Sequence, residues 1–242
     1  MSANSYTVIN PDSGSPLVLT CEHASAKIPA AYNNLGLPDS AFQTHIARDF
    51  GCAELTAALA GALNCTAFLG NWSRLLIDLN RREEEAELIV QTSDGIAVPG
   101  NRNLNAEEKE YRLTSFYRPY HQAIEDKLTA LRQLNKKPRL FSIHAFTPQL
   151  QGGKFRPWNA GILFLEPTPL SRSLLARLSA LPGLKTEANQ PYDLRQYKTG
   201  SSVIHGAENH LDNALIEIRD SEFADIEQGV KNWCSYLLPA LR

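Results

Sequence analysis

Excess positive charge, paired cysteines and long apolar runs are what this chain lacks. Its 242 residues carry 24 Lys and Arg against 26 Asp and Glu, a formal net charge of -2, with no basic stripe. Nucleic acid is therefore not an expected partner. The four cysteines, Cys21, Cys52, Cys65 and Cys234, form no C-x-x-C pair and no disulfide-like spacing; a reducing cytoplasm is the expected setting. No apolar segment approaches the length of a membrane span, and the first residues lack the basic region and apolar stretch of a secretory leader. No membrane association is expected. Neither a G-x-G-x-x-G run nor a P-loop pattern occurs, which removes support from the nucleotide folds. There is no repeat and no low-complexity tract. What remains is an ordinary globular composition, 43% hydrophobic and 21% charged. The length suits one α/β domain spanning residues 1–242 with a substantial core.

Four apolar, strand-like runs stand out because each ends in ionisable residues. Leu17–Cys21 leads into Glu22 and His23, and Leu75–Leu79 carries Asp78 and leads into Asn80 and Arg81. Leu140–Ile143 leads into His144, and Ala214–Ile218 carries Glu217 and leads into Arg219. Runs of this length suit strands buried on both faces of a parallel sheet. Ligands of open α/β sheets bind in the crevice beyond the carboxyl ends of such strands. Shorter strands are predicted at Thr66–Leu69 and Ala160–Leu165. Between them the apolar periodicity predicts two short helices from Pro38 to Leu63, broken near Gly51. Further helices are predicted over Ala106–Leu134 (interrupted at Pro119), Leu170–Leu181, Ser201–Leu211 and Phe223–Leu241. Arg82–Glu87 reads as solvated surface, and Gln91–Asn105 as a mobile loop near the mouth of a site. The alternation predicts a three-layer α/β/α sandwich on a mostly parallel, mixed sheet.

The clustered side chains suit metal-assisted hydrolysis. Zinc favours neutral imidazoles plus a carboxylate, with a fourth position open, and His23 and His144 at equivalent strand ends are the natural imidazole pair. The third ligand is open between Asp49, which would share a helical face with His45 at i and i+4, and Glu22. Glu217 is flanked by Ile216 and Ile218, and burial would raise its pKa towards the range useful for taking a proton from water. A buried ion pair with Arg219 is the alternative. Arg74 and Arg81 flank Asp78 and Asn80. A guanidinium can grip a substrate carboxylate or stabilise an oxyanion, or it can simply bridge to Asp78. A thiol nucleophile at Cys21, two residues from His23, is disfavoured because a strand interior does not stabilise a thiolate.

Glu22-His23-Ala24-Ser25 with Ile28-Pro29, Ser73-Arg74 running into Asp78-Leu79-Asn80-Arg81, Ser142-Ile143-His144, and Glu217-Ile218-Arg219 together resemble the N-formylglutamate amidohydrolase family. The resemblance runs in order over most of the chain. The Asp78–Arg81 segment is also similar to the substrate-binding segment of aspartoacylases, and its Asn-Arg pair to that of zinc carboxypeptidases. The resemblance implies a zinc carboxypeptidase-like fold and one Zn2+ ion held by His23, His144 and Asp49. It makes Glu217 the catalytic base and Arg74 the carbonyl-polarising group, with Asn80 and Arg81 on the substrate carboxylate. Arg219, His205 and Tyr192 complete the implied substrate-binding set. The implied reaction is hydrolysis of a small N-acyl amino acid, first of all N-formyl-L-glutamate to L-glutamate and formate. Members that act in histidine breakdown carry Pro-His-Ser-Gly where this chain has Glu22-His23-Ala24-Ser25. The alternatives are a deacylase or carboxypeptidase-like peptidase of different substrate on the same scaffold, and a non-catalytic homologue that binds a metal or a carboxylate. The oligomeric state is left open.

Overall fold

The structure, a computed structural model, describes residues 4–242. Its strands are β1 (Tyr6–Ile9), β2 (Leu17–Cys21), β3 (Thr66–Gly70), β4 (Thr92–Ser93), β5 (Ile96–Ala97), β6 (Arg139–Phe146), β7 (Ala160–Leu163), β8 (Thr186–Ala188) and β9 (Asp212–Arg219). The helices are α1 (Cys52–Leu63), α2 (Ala106–Arg112), α3 (Arg118–Gln133), α4 (Pro169–Ser179), α5 (Leu194–Tyr197) and α6 (Ile226–Leu241). Seven strands form one sheet in the order β1-β3-β2-β6-β9-β7-β8, and β4 pairs with β5 alone. The four central strands β3, β2, β6 and β9 are parallel, while β1 and β7 run antiparallel to their inner neighbours.

Alternation along the strands sorts the side chains between the two faces. Leu17, Leu19 and Cys21 of β2, Phe141 and Ile143 of β6, and Ala214, Ile216 and Ile218 of β9 pack against α1, α4 and α6 in one apolar core. Val18 and Leu140 point the other way, into a second core with Tyr120, Ile124, Leu128 and Leu131 of α3. The sheet is thus covered by helices on both faces, the expected three-layer α/β/α arrangement. Continuing the same parity, Glu22, Ser142, His144 and Glu217 fall on the α3 side, Glu22 just past the end of β2 and the others within β6 and β9.

Several elements differ from expectation, each for a local reason. Arg74–Leu79 is not a strand but a chain of turns. The Ser73 hydroxyl accepts from the Leu75 amide and donates to the Ala47 carbonyl, and the Asp78 carboxylate accepts from the Asn80 amide. Side chains that capture nearby amides in this way compete with a strand ladder. Leu75, Leu76, Ile77 and Leu79 are still buried, as packed loop, which is why the run looks like a strand. The helix expected from Pro38 to Gly51 is a short 3-10 turn over Asp39–Gln43 followed by turns. His45 and Asp49 therefore share no helical face: His45 Nε2 pairs with Asp94 at 3.2 Å, and Asp49 turns inward.

The long helix before β6 is interrupted by a π-type turn over Leu113–Tyr117, just ahead of Pro119. The helix expected at Ser201–Leu211 is π-type over Ser202–Gly206 and 3-10 over Ala207–Asn209. Gln91–Asn105 carries the β4–β5 hairpin, and the Asn101 side-chain carboxamide donates to the Leu75 and Val90 carbonyls. The edge strands β1 and β8 escape sequence reading, being short and half exposed.

Candidate active site

β2 delivers the first site residues and then stops. The strand ends at Cys21, so Glu22 and His23 lie on a turn and both enter the α3 side of the sheet. Cys21 itself stays in the apolar core against α1, and burial pushes its thiol well above the ordinary range. That placement leaves no nucleophile there. β6 delivers His144, which lies opposite Glu217 of β9 in the parallel register. Asp49 arrives from the turn before α1: its amide donates to the His23 carbonyl at 3.0 Å. Gly51 makes that entry possible. It sits at φ +73°, and a Cβ there would lie 2.2 Å from the Phe223 ring.

The two imidazoles, 4.9 Å apart between ring centres, turn their Nδ1 atoms towards each other at 3.2 Å. Asp49 Oδ2 lies 3.2 Å from the one and 3.1 Å from the other. Outer partners fix this orientation. His23 Nε2 meets Asp78 Oδ1 at 2.7 Å, and His144 Nε2 faces Glu22 Oε2 at 2.8 Å. The second contact is short but poorly angled, an ion pair rather than an aligned hydrogen bond. Glu22 is held in turn by the Tyr120 hydroxyl, which donates to Oε1 at 2.9 Å. Asp49 also accepts from the Ala145 amide and from Arg74 Nη1, both at 3.1 Å. Glu22 thus stands behind His144, and Asp49 is the carboxylate that meets both rings.

The electrostatics follow from burial and pairing. Against the cost of burial, Arg74 and the two imidazoles hold Asp49 well below the usual carboxylate range. Asp78 is likewise held down, by His23 first, and Glu22 is brought to about 2 by His144. Burial opposes a charge on His144, but Asp49 and Glu22 outweigh it and hold its pKa up at about 10. Glu217 behaves in the opposite way: burial pushes it up to about 7. Its Oε2 is buried with no hydrogen-bond partner among the described residues.

Among the described residues, His23, Asp49 and His144 form the group whose ligand atoms could hold one metal ion. The donor set fits zinc. An ion with tetrahedral bonds of about 2.0–2.1 Å requires its donors to be about 3.3–3.4 Å apart, and the three separations here are 3.2, 3.2 and 3.1 Å. Two ring nitrogens and an anionic oxygen aimed at one point are the arrangement a cation satisfies, and carboxylates on the outer ring nitrogens complete it.

Beside this group lies a cavity of about 290 Å³, whose polar and charged lining includes Arg74, Asn80, Arg81 and Glu217. Ala145, Leu163, Leu194, Leu215, Tyr192, Tyr197 and Thr199 complete the lining. Asn80 is oriented by the Ser201 amide, which donates to its Oδ1 at 3.1 Å. Gly200, at φ +91°, allows this approach, since a Cβ would stand 2.4 Å from that oxygen. The carboxamide nitrogen of Asn80 is left to meet a ligand. Arg81 Nη1 donates to the Asn80 carbonyl at 3.0 Å.

The structure brings together His23, Asp49, His144, Arg74, Asn80, Arg81, Glu217 and Tyr192, but places two other expected residues elsewhere. Arg219 donates to Glu222 at 2.9 Å and does not line the cavity; nor does it pair with Glu217. His205 stacks on His121, with 2.8 Å between His205 Nε2 and His121 Nδ1, outside the cavity lining. Gln91–Asn105 contributes no lining residue either. Sequence reading missed the outer role of Asp78 and Glu22, and the Tyr120 contact. Its one available signal was that a metal-binding imidazole needs an acceptor on its other nitrogen.

The profile of the N-formylglutamate amidohydrolase family matches residues 15–224. The chain belongs to the N-formylglutamate amidohydrolase family. This places it among hydrolases that act on amides. Gene product Atu2144 from Agrobacterium tumefaciens shares the fold at a TM-score of 0.92 and 28% identity, over 99% of this chain and 96% of that one. N-formylglutamate amidohydrolase from Ralstonia eutropha JMP134 superposes at a TM-score of 0.74 and 17% identity, over 98% and 99% of the two chains; at that identity the likeness is one of fold. No curated protein sequence is detectably similar to the chain. Among the described residues no helix is long and apolar enough to cross a membrane.

Proposed function

We propose that this family member is a zinc-dependent amidohydrolase of small N-acyl amino acids, with N-formyl-L-glutamate, the substrate in the family's name, as the first to test. The observation that carries the reading is the convergence of His23 Nδ1, His144 Nδ1 and Asp49 Oδ2 within 3.2 Å of one another, beside a buried carboxylate at Glu217 and a cavity holding two guanidinium groups. A zinc ion held by those three residues supplies a Lewis acid for the amide carbonyl and lowers the pKa of water.

The remaining work belongs to the chain. Glu217, with a pKa near 7 and an unpartnered oxygen, takes a proton from the attacking water and passes it to the leaving nitrogen. Arg74 lines the cavity while one of its N–H groups anchors Asp49, and in this reading it stabilises the oxyanion forming at the attacked carbonyl. Arg81 and the carboxamide nitrogen of Asn80 hold the substrate carboxylate. Tyr192, whose hydroxyl accepts from Arg156 at 3.1 Å, keeps its own O–H for a ligand in the cavity. Asp78 and Glu22 keep the imidazoles in register. The four cysteines are all free, which supports a reducing compartment such as the cytoplasm.

The test is metal analysis of the purified protein coupled to formate release from N-formyl amino acids, compared with N-acetyl amino acids and dipeptides. Stoichiometric zinc is expected, with turnover of N-formyl amino acids lost on chelation and restored by the metal. Zinc-loaded protein that hydrolyses none of these substrates would overturn the reading.

A further inference from the structure

The cavity beside Glu217 holds too few cations for a substrate with two carboxylates. An N-acyl glutamate brings an α-carboxylate, a side-chain carboxylate and a carbonyl oxygen that gains charge during attack. The charged groups lining the cavity are Arg74, Arg81 and Glu217. Arg81 with Asn80 answers the α-carboxylate, and Arg74, already sharing one N–H with Asp49, answers the carbonyl oxygen. No lining cation remains for the side chain.

Three nearby guanidinium groups lie outside the cavity lining and have partners of their own. Arg82 donates to the Lys198 carbonyl at 3.0 Å and pairs with Glu208. Arg195 is held by Asp193 at 2.8 Å. Arg156 stacks over the Tyr192 ring and donates to the Thr147 carbonyl and the Tyr192 hydroxyl, and is not among the lining residues. The uncharged lining is Ala145, Leu163, Leu194, Leu215, Tyr192, Tyr197 and Thr199, and the three leucines are buried with Val203 in a separate apolar cluster. An unpaired carboxylate against such a wall keeps its desolvation cost, whereas an aliphatic side chain gains from the contact.

We infer that the side-chain subsite of this enzyme takes a neutral, apolar amino acid of leucine or methionine size in preference to glutamate. The inference rests on the proposed acyl-amino-acid reading and narrows it: the scissile amide and α-carboxylate are handled as above, and the three leucines select the side chain. Discrimination by such a pocket is expected in the range of roughly 10–200-fold.

The experiment compares kcat/KM of zinc-loaded protein for N-formyl-L-leucine, N-formyl-L-glutamine and N-formyl-L-glutamate. The glutamine derivative is the neutral isostere, so the glutamate-to-glutamine ratio reads charge alone. A ratio below one, with leucine the best of the three by about tenfold or more over glutamate, supports the subsite. A glutamate-to-glutamine ratio of one or above overturns it. If none of the three turns over, the proposed reaction fails. The subsite is then decided by calorimetric binding of N-acetyl-L-leucine and N-acetyl-L-glutamate to the same protein, where tighter leucine binding supports it and tighter glutamate binding overturns it.

Discussion

Towards their carboxyl ends, the two faces of β2, β6 and β9 are equally buried and chemically opposite. On the face towards α1, α4 and α6, Cys21, Ile143 and Ile216 are 0% exposed and sit in an apolar cluster. On the other, His23 is 0%, His144 1% and Glu22 1% exposed, and the only satisfaction available is mutual. The difference teaches that burial alone does not decide what a sheet face can hold. The polar face is tolerated because nearly every atom has a charged or hydrogen-bonding partner within about 3.2 Å, so that desolvation is offset by pairing. Glu217 is the exception, a buried carboxyl with one orphan oxygen. Such an exception belongs where chemistry happens.

The comparison breaks most sharply at that residue. Glu217→Gln keeps the shape of the polar face and removes its base, so kcat should fall by about 10²–10⁴-fold with zinc content unchanged. Near-normal turnover by the zinc-loaded variant would remove Glu217 from the reaction. The matching change one residue away tests the other face. Ile216→Ala opens a cavity among α1, α4 and α6 and should cost roughly 2–5 kcal/mol of stability in denaturant unfolding, while turnover per folded molecule stays as in the parent. A loss of turnover without a loss of stability would mean that the two faces do not divide the labour in this way.

How much of this was legible in the sequence depends on the same parity. The four parallel strands are apolar runs bounded by turn residues, and alternation puts Ser142 with His144; it would also put Cys21 with His23, and only the end of β2 at Cys21 separates them. The Leu75–Leu79 run misleads, because buried loop and buried strand carry the same composition. Only the capture of amides by Ser73 and Asp78 separates them, and that depends on three-dimensional neighbours. Asp49 was nameable as a candidate but not distinguishable from Glu22. Both are carboxylates near the first motif, and the choice follows from a turn that ends β2 and from Gly51, which swings the chain past Phe223. Arg219 and His205 looked equally eligible and lie outside the cavity, since sequence order says nothing about which neighbour, Glu222 or His121, a side chain meets first.

A smaller effect probes the outer partners on the polar face. Asp78→Asn leaves the His23 contact geometrically possible but removes the anion behind the ring. Zinc affinity should weaken by about 10–100-fold, measured by competition with a chromophoric chelator. An affinity unchanged within error would mean that the Asp78–His23 pair, at 2.7 Å, orients the turn and nothing else.

The smallest expected effect is a pH slope, and it bears directly on why the polar face holds together. In the metal-free protein His144 is held up at about 10 by Asp49 and Glu22. A raised imidazole pKa stabilises the folded state fully below the ordinary value near 6.5 and loses that contribution as pH rises towards 10. Zinc at Nδ1 competes for the same lone pair, so binding at pH 8 must expel about one proton, and affinity should rise about tenfold per pH unit between 7.5 and 9. Below 7 Glu217, pushed up to about 7 by burial, carries a proton that the incoming cation also disfavours. The slope should therefore steepen there, and Glu217→Gln should remove the extra steepness while leaving the upper limb intact. Calorimetric titration in buffers of different ionisation enthalpy counts the protons directly. A count of zero at pH 8 would show that His144 is not competing for the metal, and with it that the buried pairs on this face are structural.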